Sequence, residues 1–193
     1  MKKIALAAML ALIAGPALAH TGHGDANGFV HGLEHPIFGP DHLLAMLGVG
    51  LWSGFVLPQR FWGGAATFMG AMAAGAGLAW AGIGYPMVET VILASVVVFG
   101  LLVLVARRDQ PQAVTLASLG TIAIFASAHG HAHASEAAGV IWHYLAGFLI
   151  STAFLHLVGI GIARQVARLD KARLVQSGIG AGILASGLLM MAG

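Results

Sequence analysis

Residues 91–106 read VILASVVVFGLLVLVA, an uncharged run that decides the class of fold. Its apolar residues do not alternate with polar ones, as they would along the strands of a transmembrane barrel, so the run predicts a helix. A helix also satisfies its own backbone hydrogen bonds, which the hydrocarbon core of a bilayer requires. We therefore predict an all-α integral membrane protein.

The composition of the whole chain agrees with this prediction. Hydrophobic residues make up 59% of the 193 residues and charged residues only 8%, whereas about 25% of the residues in a typical soluble domain are charged. The mean hydropathy is +0.89. Only nine Lys and Arg residues are present, so the composition does not suggest nucleic-acid binding. Because the chain has no cysteine, nitrogen and oxygen atoms must supply the ligands of any metal site.

Six apolar segments follow residue 40, separated by short polar or Gly/Pro breaks. They cover residues 42–57, 61–81, 88–106, 113–128, 139–163 and 174–192. Each is close to the ~20 apolar residues that a helix needs to cross a bilayer. The segments predict a six-helix transmembrane bundle over residues 41–193, with small-residue motifs at Gly50-x-x-x-Gly54 and Gly178-x-x-x-Gly182 that favour close helix packing.

The first 20 residues, MKKIALAAMLALIAGPALAH, have the three regions of a secretory signal peptide. Lys2 and Lys3 precede an apolar stretch at residues 4–14, and residues 17–19 form an A-x-A cleavage site. We expect cleavage after Ala19, which would leave residues 20–40 as an exported, histidine-containing leader. The alternative is an uncleaved first helix, which would add a seventh span.

The basic residues predict the orientation of the chain in the membrane. After the signal peptide, every Lys and Arg falls in loops that six spans would place on one side: Arg60, Arg107, Arg108, Arg164, Arg168, Lys171 and Arg173. The positive-inside rule makes this side cytoplasmic. Residues 20–40, 81–87 and 129–138 are then outside the cytoplasm. We expect a multi-pass protein of the bacterial inner membrane whose mature N-terminus and C-terminus are periplasmic.

The first cluster of potential metal ligands, residues 31–42 (HGLEHPIFGPDH), lies immediately before the first apolar segment. It contains His31, Glu34, His35, Asp41 and His42. The prolines and glycine at residues 36–40 predict a turn that ends at a helix start, with Asp41 in the first turn and His35 folding back. A helix-start aspartate stabilised by the helix dipole is the structural alternative. Five potential ligands in a charge-poor chain favour a metal site.

The second cluster, residues 125–136 (FASAHGHAHASE), follows the fourth apolar segment. If the helix continues, His129, His133 and Glu136 share one face, and His131 points elsewhere. A solvated histidine-rich linker is the alternative. Because both clusters are predicted on the exported side, they could face each other across the bundle. Asp41 and Glu136 would then offset the charge of a divalent ion bound by neutral imidazoles.

Five further residues are additional candidates for metal contact. Glu89, at the start of the third segment, fits a ligand or a helix-start residue equally well. His143 and His156 are thirteen residues apart on the fifth segment, too far for a direct chelate, and could be successive stations on a path or hydrogen-bond donors between helices. His20 and His23 would lie at the mature N-terminus, as a metal-scavenging arm or a flexible leader.

The motifs HPIFGPDH and FASAHGHAHASE are similar to the H-x5-D-H motif and the histidine-rich signature of the HupE/UreJ family of bacterial nickel permeases. The resemblance extends from the signal peptide to the sixth segment. It implies metal-binding roles for His35, Asp41, His42, His129, His133 and Glu136. The second motif differs in that Ala128 stands where the family has an aromatic residue.

The resemblance also implies a function. It implies a permease, not an enzyme, that moves Ni(II) or Co(II) from periplasm to cytoplasm for hydrogenase or urease maturation, with no permanently bound cofactor. The residues alone leave open a secondary permease or channel, an intramembrane metal-dependent enzyme, and a haem-binding membrane protein. The expected partners are a divalent metal ion and the lipid bilayer, and the sequence indicates no particular oligomeric state.

Overall fold

A computed structural model describes residues 28–137 and 140–193, and these residues form seven α-helices and no strand. The helices are α1 (Gly28–Phe38), α2 (Pro40–Val56), α3 (Gly63–Trp80), α4 (Val88–Val105), α5 (Gln112–Glu136), α6 (Ile141–Val166) and α7 (Ala172–Ala192). The predicted all-α class is confirmed. The predicted signal peptide, His20 and His23 lie outside the described residues.

Four of these helices are long and apolar enough to cross a membrane, as expected of a multi-pass membrane protein. These spans are Val88–Val105, Gln112–Ser135, Ile141–Val166 and Ala172–Ala192. Helix α2 has 17 residues and is shorter than these four helices. Helix α3 has 18 residues, but its many glycines and alanines give it a lower mean hydropathy than theirs. Helix α5 is longer than predicted because it continues through the second histidine cluster to Glu136.

The start of α2 is as predicted, whereas the segment before it differs from the prediction. Pro40 occupies the first turn of α2 and Asp41 follows it, with Gly39 as an extended N-cap. The expected turn around Pro36 is wrong, because Pro36 lies inside α1. Close packing of α1 against α6 accounts for this: a Cβ atom at Gly32 would collide with the main-chain carbonyl of Tyr144. Tertiary packing here outweighs the local tendency of proline to end a helix.

Helices α1 and α2 follow one another along α6, and the chain does not fold back between them. Gly32 of α1 packs on Tyr144, Gly50 of α2 packs on His156, and Gly54 packs on Ala163 further along. The single residue Gly39 therefore makes a kink, and His35 and His42 lie on either side of it.

Two other helix pairs complete the bundle, α3 on α5 and α4 on α7, and α2 joins them by contacting α4. Among the described residues, Gly178 and Gly182 do not have the predicted close-packing role, because a Cβ atom at either would meet no described atom within 4 Å. Helix α7 instead uses Gly180, where a Cβ atom would lie 2.5 Å from the backbone nitrogen of Leu104 in α4. Spacing alone did not indicate which of these glycines faces a neighbour.

The basic loops meet at one end of the bundle. The Arg173 Nη1 atom donates to the carbonyl of Ala106, just beyond α4, at 2.7 Å. The Arg164 guanidinium of α6 lies 4.1 Å from the centre of the Phe61 ring, between α2 and α3. This is the end where α2, α4 and α6 finish, so the starts of these helices, including Asp41 and His42, lie toward the other end.

Candidate metal centre

Three histidines from three helices converge near the start of α2, and we call them the three-histidine cluster: His35 of α1, His42 of α2 and His133 of α5. One ligand atom from each lies within 4.8 Å of the other two. The ring centres are 5.2 Å apart for His35 and His42, 4.8 Å for His35 and His133, and 4.5 Å for His42 and His133. The two sequence clusters therefore face each other. Three converging imidazoles suit divalent first-row transition metals.

Asp41 fixes the orientation of His42. The His42 Nδ1 atom donates to Asp41 Oδ1 at 2.8 Å, because a carboxylate can only accept. The other nitrogen, Nε2, then carries a lone pair, and it is buried without a hydrogen-bond partner in the part of the chain that the structure describes. A carboxylate that holds the far nitrogen of an imidazole is the usual support of a metal-binding histidine.

Aromatic residues of α6 surround His133. Its Nδ1 atom lies 3.3 Å from the Tyr144 hydroxyl oxygen. When Nδ1 donates to that oxygen, the Nε2 atom has the lone pair that can bind a metal ion. Its Nε2 atom is buried and has no hydrogen-bond partner among residues 28–137 and 140–193. The Phe148 ring centre is 4.0 Å from that of His133. These apolar walls exclude water from one side of the cluster.

The cluster opens into a pocket of about 180 Å³. The three histidines line it together with Gly39, Asp41, Glu89, Ile92 and Ala132. The pocket is smaller than the roughly 300–1,000 Å³ of typical small-molecule sites. It has room for an ion that keeps a few waters, and the carboxylates of Asp41 and Glu89 can offset positive charge there.

The structure places His129 and His131 on different faces of α5, as predicted. His129 is fully buried with its ring centre 5.0 Å from that of His42, although it lies outside the three-histidine cluster. Its Nε2 atom lies 3.0 Å from Ser95 Oγ. His131 instead donates from Nε2 to the carbonyl of Ile83 at 2.8 Å.

The other candidates lie at the margin of the site. Glu136 ends α5, and its side chain lies outside the described residues. Glu34 and His143 are exposed. His31 is exposed too, but its ring centre is 6.0 Å from that of His35 and 5.6 Å from that of Tyr144.

Two polar residues of the site, Tyr144 and Ser95, were not predicted from the sequence. Both carried a signal that could have been used. Tyr144 is one of only two tyrosines in the chain, and Ser95 is the only hydroxyl residue in the run at 91–106. A hydroxyl group in an apolar helix usually has a hydrogen-bond partner, and here each contacts a histidine.

Replacing Asp41 with asparagine should weaken Ni²⁺ binding about tenfold to a hundredfold, because the neutral amide holds His42 less firmly and no longer offsets the ion's charge. Isothermal titration of the purified protein with Ni²⁺ measures the change. Asp109→Asn is the matched control, since Asp109 is exposed at the basic end. Unchanged affinity in Asp41→Asn would contradict this supporting role.

Comparison with known proteins gives the chain its family. The model of the HupE / UreJ protein family matches residues 7–190. Protein HupE of Rhizobium leguminosarum bv. viciae is 38% identical over 192 residues, covering 96% of this chain and 95% of the relative. No solved structure is significantly similar. The chain belongs to the HupE / UreJ family.

Proposed function

We propose that this protein is a secondary permease or facilitated channel that moves Ni(II) or Co(II) from periplasm to cytoplasm, for hydrogenase or urease maturation. The convergence of His35, His42 and His133 within 4.8 Å, in a bundle that includes four membrane-length helices, carries the proposal. Imidazole nitrogen suits both ions, and its affinity rises from cobalt to nickel. Family membership supports transport over catalysis.

The proposed topology has six spans, a cleaved signal peptide at residues 1–19, and periplasmic termini of the mature chain. Helices α1 and α2 together follow α6, a helix of membrane length, which supports a first span that contains α2. The three-histidine cluster lies away from the end where Arg164 and Arg173 make their contacts. With basic loops in the cytoplasm, the cluster faces the periplasm and receives the ion first.

The geometry favours a mobile ion over a haem. A haem iron with two histidine ligands lies between imidazoles on opposite faces of a wide macrocycle. Here the ring centres of His35, His42 and His133 are at most 5.2 Å apart. A transport site must also bind weakly enough to release its ion. A small pocket with three neutral ligands fits that requirement.

Cells that express the wild-type chain should accumulate radiolabelled nickel, and separately cobalt, severalfold above cells with an empty vector at submicromolar metal. Excess Mg²⁺ should not compete, because Mg²⁺ prefers oxygen ligands. Uptake no greater than that of the empty vector, with the protein present in the membrane fraction, would disprove the permease function. Comparison of the two labels also identifies the preferred metal.

A further inference from the structure

His156 lies deep in α6 and presents an unused basic nitrogen. The residue is 0% exposed, and its Nδ1 atom is 2.7 Å from the carbonyl oxygen of Thr152. A carbonyl only accepts, so Nδ1 carries the proton and Nε2 carries the lone pair. Within the described chain this Nε2 atom is buried and has no hydrogen-bond partner. An imidazole held by a backbone carbonyl with its other nitrogen free is oriented as metal ligands are.

His129 presents a second such nitrogen. The Ser95 hydroxyl donates its single proton to the Ile92 carbonyl at 2.6 Å, so its oxygen accepts from His129 Nε2 at 3.0 Å. The lone pair of His129 is therefore on Nδ1. That atom is also buried, and no group in the described ranges hydrogen-bonds to it. Two fully buried imidazoles thus keep basic nitrogens unused, although burial of an unpaired acceptor is costly.

The Phe68 ring contacts both imidazoles. Its centre is 5.4 Å from the His129 ring centre and 5.1 Å from that of His156, so the two imidazoles are separated by no more than the sum of these distances. Phe68 is itself 0% exposed. The His129 ring centre is also 5.0 Å from that of His42. A row of buried rings therefore leads from the three-histidine cluster through His129 and Phe68 to His156.

We propose that His156 Nε2 forms an inner coordination position for a divalent transition-metal ion, which the Phe68 ring separates from His129 and the three-histidine cluster. This position rests on the proposed function, as the second station of the same path. The hydroxyl of Thr152, one turn before His156, is also buried without a partner in the described residues and can supply an oxygen ligand. The apolar Phe68 ring acts as the constriction between the stations.

The inner position binds more weakly than the outer one. The three-histidine cluster has the carboxylates of Asp41 and Glu89 in its pocket, whereas the described hydrogen bond of His156 is made to a neutral backbone carbonyl. Without an opposing charge, the ion is stabilised less after leaving water. A weaker second station favours onward release, which conduction requires.

A single introduced thiol tests coordination directly. The chain has no cysteine, so His156→Cys carries the only thiol in the protein. Added Ni²⁺ should displace its proton and produce a thiolate-to-nickel charge-transfer absorption band. The matched control Ser186→Cys, at a half-buried position of α7, should produce none. The test uses His156→Cys protein whose three-histidine cluster still binds Ni²⁺, at Ni²⁺ concentrations well above saturation of that cluster. Absence of the band under these conditions would overturn the proposal.

Transport by His156→Ala separates this inference from the proposed function. In proteoliposomes, nickel flux should fall about tenfold or more while the Ni²⁺ affinity of the three-histidine cluster stays within about twofold of wild type. If His156 has a purely structural role, the nickel flux and the Ni²⁺ affinity should fall together, and this result would overturn the inner position. Wild-type flux in His156→Ala would overturn it too. Absence of nickel flux in the wild type would instead refute the permease function, and the charge-transfer band would still report whether the inner position exists.

Discussion

Replacing His42 with alanine should abolish saturable nickel uptake and weaken Ni²⁺ binding by about a hundredfold. His42 contacts both other members of the three-histidine cluster, with its ring centre 4.5 Å from that of His133 and 5.2 Å from that of His35. The substitution removes a ligand and also leaves the Asp41 carboxylate without its 2.8 Å hydrogen bond. Radiolabelled uptake in cells and titration of the purified protein measure the two effects.

His131→Ala is the matched control for His42→Ala. His131 lies two residues from His133, but it contacts the Ile83 carbonyl on the other face of α5. We expect nickel uptake by His131→Ala to stay within about twofold of wild type, since His131 lies outside the three-histidine cluster. An equal loss in both variants would indicate a folding defect, and wild-type uptake by His42→Ala would refute the assignment of the site.

The candidate ligands come from separate helices, which would give the proposed permease a means of releasing its ion. His35, His42 and His133 belong to α1, α2 and α5, and the single residue Gly39 separates α1 from α2. Small shifts of one helix against another can therefore separate the ligands. Three ligands from a single helix would move together and could not be taken apart in this way.

Local patterns in the sequence predicted the parts of the fold that depend on neighbouring residues. The run at 91–106 gave a membrane-length helix, Pro40 marked the start of α2, and helical spacing separated His131 from His129 and His133. The charge pattern of the loops then suggested that the two histidine clusters meet. This step succeeded because short connections between spans leave few choices for which ends lie together.

The remaining features depend on contacts between distant segments. Helix α1 continues through Pro36 because Gly32 packs on the backbone of Tyr144, a contact over more than a hundred residues that no local pattern reveals. For the same reason, glycine spacing could not show that Gly180 faces α4 and that Gly178 does not. The hydrogen bond of Ser95 to His129 likewise exists only once α4 and α5 are packed.

Replacing Gly50 with alanine should destabilise the protein by about 3 kcal/mol, because the added methyl group would collide with the His156 carbonyl and lie 3.1 Å from Gly159 Cα. Both are main-chain atoms of α6, so α2 must move away, which also disturbs His42 at its start. Gly182→Ala is the matched control, since its Cβ atom would meet no atom of the described residues within 4 Å, and it should stabilise α7 by up to about 1 kcal/mol through helix propensity. The two substitutions should therefore change the free energy of unfolding in opposite directions. Thermal unfolding in detergent, monitored as loss of the monodisperse peak in size-exclusion chromatography, measures both changes. A Gly50→Ala protein as stable as Gly182→Ala would contradict the close crossing of α2 and α6 on which the geometry of the site depends.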